Sequence, residues 1–222
     1  MVTRYGYDVV AVTAAGTLLA STAAWVLVDN PGLRFTLVGL FLLLLLFTVS
    51  FFRDPERKVP TDPDLVISPA DGRVVLVSNV DEPEFLKGAG MQVSIFMSPL
   101  NVHVNRFPLT GRVALFRHVP GEFLVAFDDK SSTRNERTYI GIEDRGRRVL
   151  TKQIAGFVAR RIVAPLKVGD VAVAGERFGM IRFGSRVDVI VPEGSQVRVK
   201  VGDRAVAGET ILAAWPAPGR ES

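Results

Sequence analysis

A chain of 222 residues with no cysteine and two histidines, His103 and His118, has few reagents to choose from. Thiolate nucleophiles, disulfides and cysteine-based metal sites are excluded, and a histidine-rich metal site is not expected either. One dipeptide offers another route. Gly184-Ser185 lies in Met180-Ile181-Arg182-Phe183-Gly184-Ser185-Arg186-Val187-Asp188-Val189, which reads as strand on both sides. A glycine there supplies unusual backbone angles and leaves its carbonyl unshielded. The neighbouring Ser185 hydroxyl can attack that carbonyl and move the acyl group from nitrogen to oxygen. β-Elimination of the ester then leaves dehydroalanine, and hydrolysis leaves a pyruvoyl group on a new N-terminus. A pyruvoyl carbonyl forms a Schiff base with an amine and drains electrons from its α-carbon, as pyridoxal phosphate does elsewhere. That chemistry needs no thiol, no metal and little histidine. It does require the Ser185 hydroxyl to lie near an opening.

The elements that must position this dipeptide are short strands. From Asp54 onward, runs such as LVIS, GRVVLV, MQVSIFM, RVALF, KQIAGFV, RVDVIV and QVRVKV alternate with Gly, Pro, Asp and Asn. No window of helical period long enough for a substantial helix follows Phe52, and Glu82–Lys87 reads as a turn. An internal repeat is superimposed on the strands. Val168–Glu176 (VGDVAVAGE) returns thirty-three residues later as Val201–Glu209 (VGDRAVAGE), and only the fourth of its nine positions differs. Each copy reads as strand–turn–strand, with turns at Gly-Asp and at Ala-Gly-Glu. The expected fold is therefore mostly β, a barrel-sandwich hybrid like biotinyl and lipoyl domains. Carrier domains place a modified lysine between two such halves. Here the centre of the intervening segment is RFGSRVDV, which disfavours a carrier and returns attention to Gly184-Ser185.

Two apolar stretches precede the β region. Leu33–Phe52 carries a single charge, Arg34, at its start, and about 20 residues suffice to cross a hydrocarbon core of roughly 30 Å. Val9–Val28 is weaker, and Asp29-Asn30-Pro31-Gly32 between them is a turn signal. The expectation is a transmembrane helical hairpin over residues 1–53, in which the Gly and small residues of the first span pack closely on the second. A single span plus an interfacial helix is the alternative. A signal peptide is disfavoured, because no compact basic n-region or cleavage site is present. Arg4 before the hairpin, with Arg53, Arg57 and Lys58 after it, predicts that the β domain, residues 54–222, faces the cytoplasm from the cell (inner) membrane. The net charge of +4 suits an anionic surface, although a plainly solvated basic surface explains it equally well. Nucleic acid is not an expected partner, since no basic run or aromatic-interleaved motif supports it.

Six segments, in order, carry a resemblance: Phe51–Arg57 (FFRDPER), Ser68–Val74 (SPADGRV), Phe96–Arg106 (FMSPLNVHVNR), Val119–Glu122 (VPGE), Asn135–Arg137 (NER) and Phe183–Ser185 (FGS). Together they span almost all of Phe51–Ala214, and the chain resembles the short class of pyruvoyl-dependent phosphatidylserine decarboxylase proenzymes. The resemblance implies self-cleavage into a β chain, residues 1–184, and an α chain beginning at Ser185. Those two chains would stay together as a heterodimer, open to higher homo-oligomerisation. It implies that Ser185, as pyruvoyl, holds the amine of a phospholipid substrate. It also implies an Asp71–His103–Ser185 relay that activates the serine by the logic of a hydrolytic triad. Loss of carbon dioxide from phosphatidylserine would give phosphatidylethanolamine at the membrane surface, with His103 returning the proton. Two positions depart from the longer enzymes of the family. Their motif has a second histidine where this chain has Arg106, and their cleavage point reads Leu-Gly-Ser-Thr where this chain has Phe-Gly-Ser-Arg.

Other polar residues carry two readings each. Asp71 precedes a glycine and by itself reads as a turn. His118 could contact a lipid phosphate or donate a proton, or stand half-buried on a strand. The run Asp128–Arg137 is a solvated loop or, through Arg134 and Arg137, a bidentate phosphate or carboxylate clamp. The competing function is a non-enzymatic, membrane-anchored lipoyl-like adaptor of a transport assembly. Such adaptors separate the lipoyl halves with long helical hairpins, whereas Arg177–Lys200 is short and not helical in pattern.

Overall fold

The computed structural model describes residues 1–121, 135–156, 161–182 and 185–215. The chain divides into two compact units, Met1–Pro55 and Glu56–Ser222.

The first unit is a helical hairpin of α1 (Tyr7–Leu27) and α2 (Pro31–Phe51). Each has 21 residues and reaches about 30 Å at the helical rise, so both are long and apolar enough to cross a membrane. The turn is fixed by Asn30, whose side-chain oxygen accepts from the Leu33 amide at 3.1 Å, and by Pro31 at the first helical position. Arg34 folds back to donate twice to the Val28 carbonyl, at 3.0 and 2.7 Å, and lies 5.1 Å from the Trp25 ring. The one charge of the second apolar run is thus spent on closing the turn. The helices meet through Thr17 and Ala24, the buried residues of α1, and the Thr17 hydroxyl donates to the Phe41 carbonyl at 3.4 Å. Gly16 takes no part in that contact, contrary to expectation, since a Cβ there would meet nothing within 4 Å. The close approach is at Gly6, where a Cβ would stand 2.1 Å from the Phe52 ring. Leu18, Leu19, Val26, Leu43 and Leu46 point outward with most of their surface exposed.

The second unit is mostly β. Among the described residues it has one eight-stranded and two three-stranded sheets. The large sheet contains β2 (Gly72–Glu82), β3 (Gly88–Met97), β5 (Gly111–Val119), β6 (Arg137–Asp144), β7 (Arg147–Ala155), β9 (Val171–Ala172), β11 (Ser185–Pro192) and β13 (Arg204–Ala205). Its order is β13-β2-β3-β11-β7-β6-β5-β9, antiparallel throughout. The small sheets contain β1 (Leu65–Ile67), β14 (Ile211–Ala214) and β12 (Gln196–Val197) in that order, and β4 (Val104–Arg106), β10 (Arg177–Arg182) and β8 (Arg161–Val163) in that order. Side chains from one face of the large sheet, including Val93, Ile95, Ile140, Val187 and Val189, pack with Val66, Ile181 and Leu212 into the main core.

These strands form two interlocked sets of seven. The set β4 to β10 is continuous in the chain and is inserted between β3 and β11 of the other set, so that β1-β14-β12 corresponds to β4-β10-β8 and β13-β2 to β9-β5. Matching hydrogen bonds show the correspondence. Ile67 donates to the Pro108 carbonyl and Arg106 to the Pro69 carbonyl, both at 2.9 Å. Val74 donates to Asp203 and Val113 to Asp170, again both at 2.9 Å. The sequence repeat supplies the turns at the two ends. Gly169 and Gly202 have φ of 95° and 98°, and Gly175 and Gly208 have 79° and 77°. This left-handed backbone is why glycine stands at both positions of each copy. Only Gln196–Val197 of the run QVRVKV is strand, because the Lys200 amide is taken by the Asp203 carboxylate at 2.9 Å where the next turn begins. Glu82–Lys87 is a turn as expected, its Glu82 carboxylate accepting from the Phe85 and Leu86 amides at 2.7 Å.

Candidate active site

Ser185 is the first residue of β11, a central strand of the large sheet, opposite Met97 on β3 and Ala155 on β7. Gly184, the other half of the dipeptide, lies outside the described residues. The Ser185 side chain is fully buried, and its hydroxyl donates to the Met97 thioether sulfur at 3.3 Å. Thioether sulfur is a weak acceptor, so the hydroxyl is held in place without being committed to a strong partner. The opening expected beside it is not at Ser185 itself. A cleft of about 540 Å³ instead reaches Phe96 and Ser98, the residues on either side of Met97.

A buried chain of side chains converges on the same sulfur. Thr138 donates to Gln153 at 2.7 Å, Gln153 to Asn105 at 2.8 Å, and the Asn105 amide approaches the Pro69 carbonyl at 3.3 Å and Met97 sulfur at 3.8 Å. Thr138, Gln153 and Asn105 are all buried, so their mutual hydrogen bonds replace those lost from water. Asn135 is also buried, and its amide donates to the carbonyl of Ala155, the strand neighbour of Ser185, at 2.7 Å.

His103 is buried just before β4, and its carbonyl accepts from Ile181 on β10, one residue from the end of that strand. Its Nδ1 lies 2.9 Å from the Asn101 carbonyl oxygen. A carbonyl can only accept, so Nδ1 carries a proton and Nε2 is the nitrogen left for proton exchange. The turn Ser98–Asn101, closed by the Asn101 side chain accepting from the Ser98 amide and hydroxyl at 2.8 Å, joins Met97 to His103. One short stretch, Met97–His103, therefore contacts β10 near its end and β11 at its start.

Asp71 is engaged elsewhere. Its carboxylate accepts from Arg57 at 2.9 and 3.0 Å and from the Ala207 amide at 2.8 Å, and the structure does not bring it into hydrogen-bond reach of Ser185. Its counterpart in the other strand set is Thr110, whose hydroxyl accepts from the Ala174 amide at 3.0 Å. Holding the turn amide is thus the duty the two share, and the carboxylate with its Arg57 partner is what Asp71 adds.

Comparison with known proteins decides the family. A family model described as phosphatidylserine decarboxylase matches residues 44–213. The chain belongs to the phosphatidylserine decarboxylase family. Among its relatives is a phosphatidylserine decarboxylase proenzyme of Chlorobium phaeobacteroides (strain BS1), 47% identical over 89% of this chain and 95% of its own length. Proenzymes of the same description from Chlorobium luteolum and Symbiobacterium thermophilum are each 46% identical over 97% of this chain, covering 100% and 96% of theirs. The family is the pyruvoyl-dependent class of decarboxylases.

Two of the residues that depart from the longer decarboxylases, Arg186 and Arg106, have a physical account, while Phe183 lies outside the described residues. Arg186, after the serine, points to the opposite face of β11 and forms a buried ion pair with Asp188 at 2.6 Å while donating to Ser94 at 2.8 Å. Arg106 is buried and donates to the Gly175 carbonyl at 2.8 Å, tying β4 to a repeat turn. Of the proposed phosphate-binding residues, His118 is half-exposed and pairs with Glu136 at 3.0 Å, and Arg137 donates to the Tyr139 hydroxyl at 2.9 Å and the Asn135 carbonyl at 3.0 Å. Arg134 lies outside the described residues. No cluster of potential metal ligands occurs among the described residues. Sequence reasoning overlooked Met97, Gln153 and Thr138 as site residues. Met97 and Asn105 both stood inside the recognised segment Phe96–Arg106, which was the one signal for either.

Proposed function

We propose that this chain is a phosphatidylserine decarboxylase that cuts itself between Gly184 and Ser185 and converts phosphatidylserine to phosphatidylethanolamine and carbon dioxide at a membrane surface. The observation that carries the reading is the placement of Ser185: first residue of a central strand, hydroxyl beside a weak acceptor, with His103 tied through its carbonyl to the strand that precedes the cut. The hydroxyl attacks the Gly184 carbonyl, the ester eliminates to release the Gly184 carboxylate, and water then replaces the nitrogen of residue 185 as ammonia. The pyruvoyl group so formed supplies an electron sink for the substrate amine.

The surrounding residues fit such a group. Met97 and Ala155 fix residue 185 from both sides through strand pairing, so the new terminus stays where the serine was. Complete burial excludes water while the acyl group is transferred, which favours transfer over simple hydrolysis. Cutting removes the covalent restraint in front of residue 185 and gives the terminus access toward the cleft at Phe96 and Ser98. His103, protonated at Nδ1 by its bond to Asn101, takes and returns a proton through Nε2. Asp71 acts as a positioning residue that holds the 68–71 loop, whose Pro69 carbonyl receives Asn105. The two apolar helices of the first unit anchor the chain to the cell membrane, and the basic residues flanking them put Glu56–Ser222 on the cytoplasmic side. The two fragments remain one complex.

Mass spectrometry of the purified protein under denaturing conditions tests this. The C-terminal fragment should begin at residue 185 and be lighter by one ammonia than the same fragment with a serine terminus. Ser185→Ala should abolish both the cut and carbon dioxide release. An uncut wild-type chain with full activity would sink the reading.

A further inference from the structure

The two strand sets place a control inside the same molecule. The 540 Å³ cleft is lined by Gly72, Arg73, Phe96, Ser98, Asn101 and Arg204. A second cleft, of about 370 Å³, is lined by Gly111, Arg112, Glu143, Asp144, Arg145 and Val171. The two are counterparts. Arg73 pairs with Phe96 as Arg112 pairs with Glu143, and Arg204 lies opposite Arg73 as Val171 lies opposite Arg112. Their charge is not alike. The second cleft is lined by two guanidiniums, Arg112 and Arg145, and two carboxylates, Glu143 and Asp144, with Asp144 paired to Arg145 at 2.9 Å and Glu143 to Arg148 at 3.0 Å. In the first, the described lining residues include two guanidiniums and no carboxylate. Arg204, at the one differing position of the nine-residue repeat, supplies the second guanidinium of the first cleft, and Phe96 stands there where the second cleft has Glu143.

Like charges directly opposite on neighbouring strands repel each other. Arg73 spends one N–H on the Gly202 carbonyl at 2.8 Å and keeps its other donors, and Arg204 donates to no group among the described residues. An anion between them removes the repulsion, and paired guanidiniums match the oxygens of a phosphate. The same cleft includes Phe96, beside the Ser185 partner Met97, and Asn101, whose carbonyl fixes His103.

We infer that this cleft holds the phosphodiester of the substrate head group, with Arg73 and Arg204 as its donors. The inference rests on the decarboxylase reading above and names the groups that seat its substrate. Strand pairing puts Phe96, Arg73 and Arg204 on the Arg186 face of the sheet, so with a phosphodiester fixed there the serine end of the head group must round the ends of β3 and β11, along Met97–His103, to reach residue 185. The same phosphate chemistry could come from free phosphate or from bulk anionic lipid, and the assay separates these sources.

Arg204→Val places in one copy the residue that the other copy already carries, so the turn and strand should form unchanged. The full-length variant is assayed on phosphatidylserine diluted in neutral detergent micelles. Self-cleavage should be complete and kcat within about twofold of wild type, while KM rises about tenfold, the signature of lost ground-state binding. Val171→Arg should leave KM unchanged. Glycerophosphocholine, a phosphodiester without the reacting amine, should inhibit the wild type competitively and the Arg204→Val variant much less. Inorganic phosphate should inhibit the wild type more weakly than glycerophosphocholine; equal inhibition would mean a general phosphate site and overturn the assignment. An unchanged KM in Arg204→Val overturns it too, as does a defect confined to vesicles rich in phosphatidylglycerol, which would mean that the pair senses membrane charge. Should Arg204→Val fail to cut itself, absence of inhibition of the wild type by glycerophosphocholine decides against the site. Failure of the wild type to release carbon dioxide counts instead against the decarboxylase reading.

Discussion

Around Ser185 the side chains do different work on the two faces of one strand. Ser185 and Val187 face the main core, whereas Arg186 and Asp188 face the other way and pair where both are almost fully buried. Removing one partner of such a pair strands the other charge, at a cost of about 3–5 kcal/mol. Arg186→Ala should lower unfolding free energy by that amount in denaturant titration of Ser185→Ala protein, where cutting cannot confuse the measurement. Asn105→Leu removes the partner of Gln153 and of the Pro69 carbonyl, costing about 1–3 kcal/mol. It should also slow the cut, visible as persistent full-length chain on a denaturing gel, whereas Arg186→Ala should slow it less. Ser185 was legible because a glycine–serine step between two strand-like runs is visible in a linear string, and His103 because it lies in the recognised segment Phe96–Arg106. The Thr138–Gln153–Asn105 chain was not. Its members stand 15 and 48 positions apart and meet only because β4, β6 and β7 come together.

At the level of elements, the repeat turns carry a prediction that distinguishes strain from space. Gly202 and Gly208 both have positive φ, and a side chain there costs about 1–2 kcal/mol in backbone strain alone. Around Gly202 a Cβ has open space, whereas at Gly208 it would stand 3.2 Å from the Arg106 side chain. Gly208→Ala should therefore destabilise more than Gly202→Ala in thermal or denaturant unfolding. The helices and most large-sheet strands were readable from apolar length and alternation. The insertion of one strand set into the other was not, because outside the nine-residue repeat its sequence trace is slight, chiefly Pro69, Gly72-Arg73-Val74 and Leu76 against Pro108, Gly111-Arg112-Val113 and Leu115. The correspondence lives in backbone hydrogen bonds, which many sequences can make. The small residues Thr17 and Ala24 of the first span do meet the second, but Gly16 does not, because composition does not tell which helix face a residue occupies.

For the whole molecule, the boundary at Pro55/Glu56 separates a unit with exposed apolar helices from one with its own core. A chain beginning at Glu56 should stay soluble without detergent and still cut itself, while losing activity on vesicles more than on micelles; sedimentation with vesicles and paired assays measure this. Glu56, Arg57 and Lys58 should be kept in any such truncation. Glu56 pairs with Arg177, Arg57 with Asp71, and the Lys58 amide donates to Glu209, so these residues clasp the turns at both ends of the strand sets.

The seat of β11 between β3 and β7 bears on what a broken peptide bond can do to this protein. With a cut before Ser185, both neighbours of that strand would belong to the longer piece, while the shorter piece would go on to fill the sheet edges at β12 and β13 and the middle of a small sheet at β14. Such a nick would be sewn over by hydrogen bonds on each flank, and the shorter piece could not depart without tearing the sheet through its middle. Severed covalently, the protein should still travel as a single particle until something melts it.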